Sequence, residues 1–242
     1  MLIKLIIEAF VALFVLVFFF INLKTIKLFF IRFFYGNYSY KYVTYHKNKF
    51  IKNPHPPCIK DDLMNHCFNF VDLNPQKKLY FTKSTIIFGF HPFYTDFKTI
   101  KGNTTPDCFN IYKFDEYTIK IVGFKKEIFG NEIKEVYFFI DDIFFMGEYT
   151  FSDVSKVNTE KLIGMLTTKY KINEQIVNET FYIQDNQESL LYFENNGFAI
   201  SIQYINFKEP LVNKVWNSYF KNLIKKDTFF TDEGDREIFA KL

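Results

Sequence analysis

The stretch ETFYIQDNQESLLYFENNGFAISIQYI, residues 179–205, contains three short runs rich in aromatic and β-branched side chains, ETFYIQ, SLLYFE and FAISIQYI. Each has the length and composition of a strand. The runs are joined by DNQE and by Asn195-Asn196-Gly197, residue types that accept the positive φ of tight turns. Phe198, Ile200, Ile202 and Tyr204 alternate with Ala199, Ser201 and Gln203, so a strand here has one apolar face. The spacing predicts a three-stranded β-meander.

Immediately upstream, NTEKLIGMLTTKY (158–170) places Leu162, Ile163, Leu166 and Tyr170 at helical spacing behind a capping Asn158 or Thr159. Further upstream, LYFTKSTIIFGF (79–90), YTIKIVGF (117–124) and EIKEVYFFIDDIFF (132–145) read as strands, the last two joined by a turn at Gly130-Asn131. Tyr117, Ile119 and Ile121 alternate with Thr118 and Lys120, which predicts one buried and one wet face. Downstream, a helix is expected from about Glu209 to Lys226. Pro210 would lie in its first turn, with Leu211, Val215, Trp216, Tyr219, Phe220 and Leu223 as its stripe. Hairpin, helix, meander and helix make an α+β domain with a mainly antiparallel sheet, covered by helices on one face.

Working outward to the amino terminus, LIIEAFVALFVLVFFFINL (5–23) carries one charge, Glu8. It approaches the ~20 residues that cross a ~30 Å hydrocarbon core. The run ends in Phe18-Phe19-Phe20 without a small-residue cleavage site, which favours a retained transmembrane helix over a removed leader. On a helix continuing through LKTIKLFFIRFFY (23–35), Lys24, Lys27 and Arg32 share one sector, with Ile26, Phe29, Phe30, Phe33 and Phe34 opposite. That pattern suits an interfacial basic and aromatic helix. No acidic residue occurs between Asn22 and Lys60, and the cations that follow the span predict a domain on the cytoplasmic or organellar matrix side. Residues 36–76, which include NPHPPC (53–58), read as an irregular linker. The expected organisation is therefore anchor and interfacial helix (1–35), linker (36–76), α+β domain (77–228) and polar tail (229–242).

Hydrophobic residues at 48% and charged residues at 24% exclude a disordered chain and permit one sizeable core. The 34 Phe and 16 Tyr stand against 4 Ala and 2 Arg, a bias toward A/T-rich codons, so aromatic abundance reflects an AT-rich bacterial or organellar genome rather than a binding surface. A net charge of +3 gives no nucleic-acid footprint, and neither a P-loop nor a G-x-G-x-x-G is present, so no nucleotide is expected. The sequons at Asn37, Asn103 and Asn178 are at the frequency that an Asn-, Ser- and Thr-rich chain produces by chance.

His46, His55, Cys58, His66 and Cys67 lie within 22 residues. His55, Cys58, His66 and Cys67 supply the imidazole and thiolate donors that zinc prefers, in a spacing that matches no standard finger. A nucleophile would pair a Cys or Ser with His91 or His66 and an acid such as Asp96, but no nucleophile elbow accompanies them. With Cys58, Cys67 and Cys108 odd in number, a disulfide framework is not indicated and at most one bridge can form; free thiols would agree with a reducing compartment. Asp141-Asp142, Asp115-Glu116 and Asp232-Glu233-Gly234-Asp235 read as solvated loop charges without the ligand spacing of a calcium loop. No catalytic residue and no cofactor is expected.

The helix ending in Leu166-x-x-Lys169-Tyr170, followed by the meander, loosely resembles small bacterial envelope and immunity-type domains over about 50 residues. The resemblance implies a toxin-immunity or envelope accessory role. The chain is accordingly expected to be a single-pass, membrane-anchored, non-enzymatic protein, holding the bilayer through residues 1–35 and a protein partner through its sheet. The alternatives are a structural subunit of a large organellar or bacterial membrane complex and a zinc- or cysteine-dependent enzyme.

Overall fold

The computed structural model describes residues 2–50, 52–59, 77–114, 116–128, 130–152, 154, 157, 159–176 and 180–220. Helix α1 (Leu2–Tyr35) turns at Gly36 into α2 (Tyr40–Phe50). Then come β1 (Lys78–Thr82), α3 (Phe97–Lys101), β2 (Cys108–Phe114), β3 (Tyr117–Ile128), β4 (Asn131–Ile140) and β5 (Ile143–Phe151). They are followed by α4 (Thr159–Lys169), β6 (Thr180–Asp185), β7 (Leu190–Asn195), β8 (Ile200–Ile205) and α5 (Pro210–Val215), which runs into a π-helical turn at Trp216–Phe220.

The strands form one sheet in the order β1-β6-β7-β8-β5-β4-β3-β2. All pairs are antiparallel except β1 with β6. The meander β6–β8, the β3–β4 turn at Gly130, α4, and the start of α5 behind its Glu209 cap match the sequence reading. What the reading lacks is the seam: β8 pairs with β5 from Met146↔Ile205 to Phe151↔Ile200, and this fuses the two strand groups into one sheet.

Four expectations are corrected. The run EIKEVYFFIDDIFF is not one strand, because Asp141 and Asp142 take positive φ (45° and 70°) and reverse the chain between β4 and β5. LYFTKSTIIFGF is a strand only at β1; Phe88 then lies over Gly147 of β5, where a Cβ would come within 2.3 Å of its ring. The sheet is also not wet on one side. Ile121, Phe138, Met146 and Ile205 pack with Val212, Val215 and Trp216, while Val122, Tyr137, Phe139, Phe144 and Tyr204 pack with Phe88, Phe97, Leu166 and Tyr170. Large aromatic residues fill both layers, and the burial of each ring contributes on the order of 2–3 kcal/mol.

The fourth correction concerns the linker, which contains α2. Its sequence YKYVTYHKNKF lacks an apolar stripe, and the helix is set instead by its start and its neighbour. The Ser39 hydroxyl accepts from the Tyr42 amide (3.1 Å) as an N-cap. The chain runs back along α1, with Lys27 over the Tyr45 ring, Lys41 over the Tyr35 ring and the Tyr45 hydroxyl donating to the Lys24 carbonyl. NPHPPC is irregular, as expected.

Residues 24–35 continue α1 without a break, the helix running over 34 residues. At 1.5 Å per residue it is about 50 Å long. Its Lys24/Lys27 side faces α2 through Tyr45, and Phe29, Phe30, Phe33 and Phe34 are exposed. Among the described residues, no helix is long and apolar enough to cross a membrane. Within the run 5–21 the side chains described are Phe10, Phe14 and Val17, so the transmembrane expectation continues to rest on the sequence.

Candidate peptide-binding groove

Strand β2 is an outer strand, paired with β3 on one side. On its other side the Phe109 amide donates to the Pro56 carbonyl at 2.8 Å. Antiparallel pairing alternates the direction of successive backbone groups, so Ile111 and Lys113 turn their N–H and C=O outward on the same side as Phe109. Among the described residues, no backbone group bonds to these outward groups.

Beside this open edge is a groove of about 670 Å³, within the ordinary range of ligand-binding sites. Val43 and Lys47 of α2 form one wall, Ile111 and Lys113 of β2 the other, and His55 and Pro57 close one end. The closing loop is firmly tied. The Cys58 and Ile59 amides donate to the Asn110 side-chain oxygen, Lys134 donates to the Cys58 carbonyl, and Cys58 is joined to Cys108 by a disulfide. The bridge fits because β3 has a glycine beneath it. A Cβ on Gly123 would lie 2.4 Å from the Cys108 sulfur and 3.2 Å from that of Cys58.

His55 is half-buried, stacked on Tyr38 (4.9 Å between centroids) and edge-on to Phe109. Its Nε2–H donates to the Asn37 carbonyl at 3.2 Å. Burial holds its pKa below the ordinary histidine value; the Asn37 bond opposes this and the His46 charge adds to it. A neutral ring therefore pins the α1–α2 turn to the groove's closed end.

The zinc expectation meets a changed residue here. Cys58 is half of a disulfide and offers no thiolate, while His66 and Cys67 lie outside the described residues. His46 directs Nδ1 at the Lys52 carbonyl (2.8 Å), and no group of three or more His, Cys, Asp or Glu suited to a metal occurs among the described residues. The bridge also corrects the expectation of free thiols.

The structure gives His91 and Asp96 separate roles. His91 closes a turn onto the Phe88 carbonyl, with its ring 5.9 Å from that of Tyr137. Asp96 caps α3, accepting from the Thr99 hydroxyl and amide, and these bonds lower its pKa. Of the acidic pairs, Asp141-Asp142 forms the β4–β5 turn, where Asp141 accepts from the Thr118 amide and Asp142 pairs with Lys120. Glu116 faces Lys214 at 3.6 Å; Asp115 and 232–235 lie outside the described residues.

Sequence reasoning missed Glu135, which is 1% exposed on β4. It accepts from the Tyr149 hydroxyl (3.0 Å) and pairs with Lys126. Burial first, then the Glu135 charge, pushes the Tyr137 and Tyr149 hydroxyls far above the ordinary tyrosine pKa. These phenols stay protonated, and the Tyr149 hydroxyl and the Lys126 ammonium on Glu135 make the cluster an internal network. The only signal in the sequence was a Glu on the same strand face as Ile133, Tyr137 and Phe139.

Comparison of the chain with protein-family models, with curated proteins and with solved structures returns no match.

Proposed function

We propose that the protein is a membrane-anchored, non-enzymatic interaction protein that takes an extended segment of a protein partner into the groove between α2 and β2. The observation that carries this reading is the outward backbone of Ile111 and Lys113 facing an open groove. Unpaired strand edges are normally blunted, and one held open beside a shaped cleft is what strand addition uses. The opposite edge, β1, is five residues long, begins at Lys78 and is flanked by Lys77 and Lys83, a guarded edge. The anchor in this reading is the run 5–23, whose apolar sequence with the single charge Glu8 is what supports it.

The disulfide supports an oxidising compartment for the domain, opposite to the side that flanking charge favours.

The test replaces Ile111 with Pro. This removes an outward N–H while leaving the ladder with β3, to which that N–H does not belong. A photo-reactive residue at position 113 should crosslink one partner in native membranes, and Ile111→Pro should abolish the adduct in a folded protein. Undiminished crosslinking would reject the reading.

The exposed face of Phe29, Phe30, Phe33 (73%) and Phe34 (70%) favours a second reading, a structural subunit of a large membrane assembly. Native electrophoresis of mildly solubilised membranes should then show a large species and no small one.

A further inference from the structure

We propose that the segment taken up beside β2 is acidic, an extended run whose Asp or Glu side chains meet Lys47 and Lys113. The proposal rests on the reading of the groove as a strand-accepting site. Lys47 and Lys113 line the groove from opposite walls, and no Asp or Glu is among its described lining residues. Both lysines are exposed and neither forms an ion pair among the described residues.

Several lysines elsewhere on the domain sit on acidic partners. Lys78 faces Glu174, Lys120 faces Asp142, Lys125 faces Glu132 and Lys126 faces Glu135. Among the described residues, the groove thus keeps two cations without ion-pair partners on either side of open main-chain donors and acceptors. A segment entering there gains charge-assisted hydrogen bonds at its acidic side chains. A basic segment would instead bring like charges together and be rejected.

The apolar part of the lining sets a second requirement. Val43, Ile59, Phe109 and Ile111 offer carbon surface between the cations. Side chains of a strand alternate between faces, so an occupant alternating apolar and acidic residues satisfies the floor and the rim together. Ile111 and Lys113 supply two outward N–H and two outward C=O groups, which match about three residues of a paired strand.

The test uses the full-length protein in detergent micelles and three fluorescein-labelled heptapeptides: alternating Val and Glu, alternating Val and Lys, and the Val/Glu peptide N-methylated at its amides. The acidic peptide should bind, with the lysine peptide and the N-methylated peptide each at least tenfold weaker. Lys47→Glu and Lys113→Glu should each weaken the acidic peptide about tenfold, and Lys208→Glu, outside the groove, should leave it unchanged. Equal binding of acidic and lysine peptides, with N-methylation abolishing it, would overturn the acidic specificity and leave strand addition standing. If no peptide binds, or if N-methylation has no effect, strand addition fails and the proposal fails with it.

Discussion

Two residues show how close packing sets the tolerance of single positions. Gly147 has no room for a side chain, because the fully buried Phe88 ring occupies the place where its Cβ would be. Gly147→Ala should therefore cost about 1–3 kcal/mol by overpacking, read as a lowered denaturation midpoint, and Phe88→Leu in the same chain should recover part of the loss. At the groove, His55 is neutral in the folded protein because burial lowers its pKa. The unfolded chain takes up the proton first as pH falls below about 6.5, so the stability owed to neutral His55 is present above that pH and is lost as pH falls through the folded pKa. The melting temperature of the wild type should accordingly exceed that of His55→Phe by more at pH 7.5 than at pH 5. A gap independent of pH would show that the ring acts by packing alone.

At the scale of elements, the Cys58–Cys108 bridge binds the groove's end loop to β2 across 50 residues of sequence. Removing it should cost about 2–4 kcal/mol, chiefly through the greater freedom of the unfolded chain. Cys58→Ser/Cys108→Ser should show that loss in denaturant titrations. Alkylation of the unreduced, denatured wild type should modify one thiol, and three after reduction. Three before reduction would mean that the bridge does not form in the cell. The strand meander and α4 were legible in the sequence because their periodicity and turn residues are local. Helix α2 was not, since YKYVTYHKNKF has no apolar stripe and owes its helical state to the Ser39 cap and to contacts with α1. Strand β2 escaped for a related reason: CFNIYKF mixes polar and apolar residues, and its strand state comes from the register with β3.

For the whole molecule, the length of α1 decides where the chain can be cut. Residues 24–35 support α2, and α2 walls the groove, so the chain cannot be cut at residue 35 without damage. Deleting residues 1–22 should release a folded protein that remains in solution and keeps the groove, whereas deleting 1–35 should expose α2 and weaken peptide binding at least tenfold. If the bridge reflects an oxidising compartment, as proposed above, protease added to that face of sealed membranes should digest the domain without lysis. Protection there would restore the orientation that the basic flank favours.

The sequence by itself determined the α+β class, the meander with its turns, the first turn of α5 and the apolar run 5–23, because each is encoded by neighbours within a few residues. The groove came from tertiary structure alone. It needs β8 to pair with β5, Gly123 to lie beneath a bridge between residues 50 apart, and α2 to fold back along α1. Glu135 shows the same division: its place on a buried strand face could be counted from the sequence, but the Tyr149 hydroxyl and Lys126 ammonium that make its burial tolerable are brought to it only by the folded sheet.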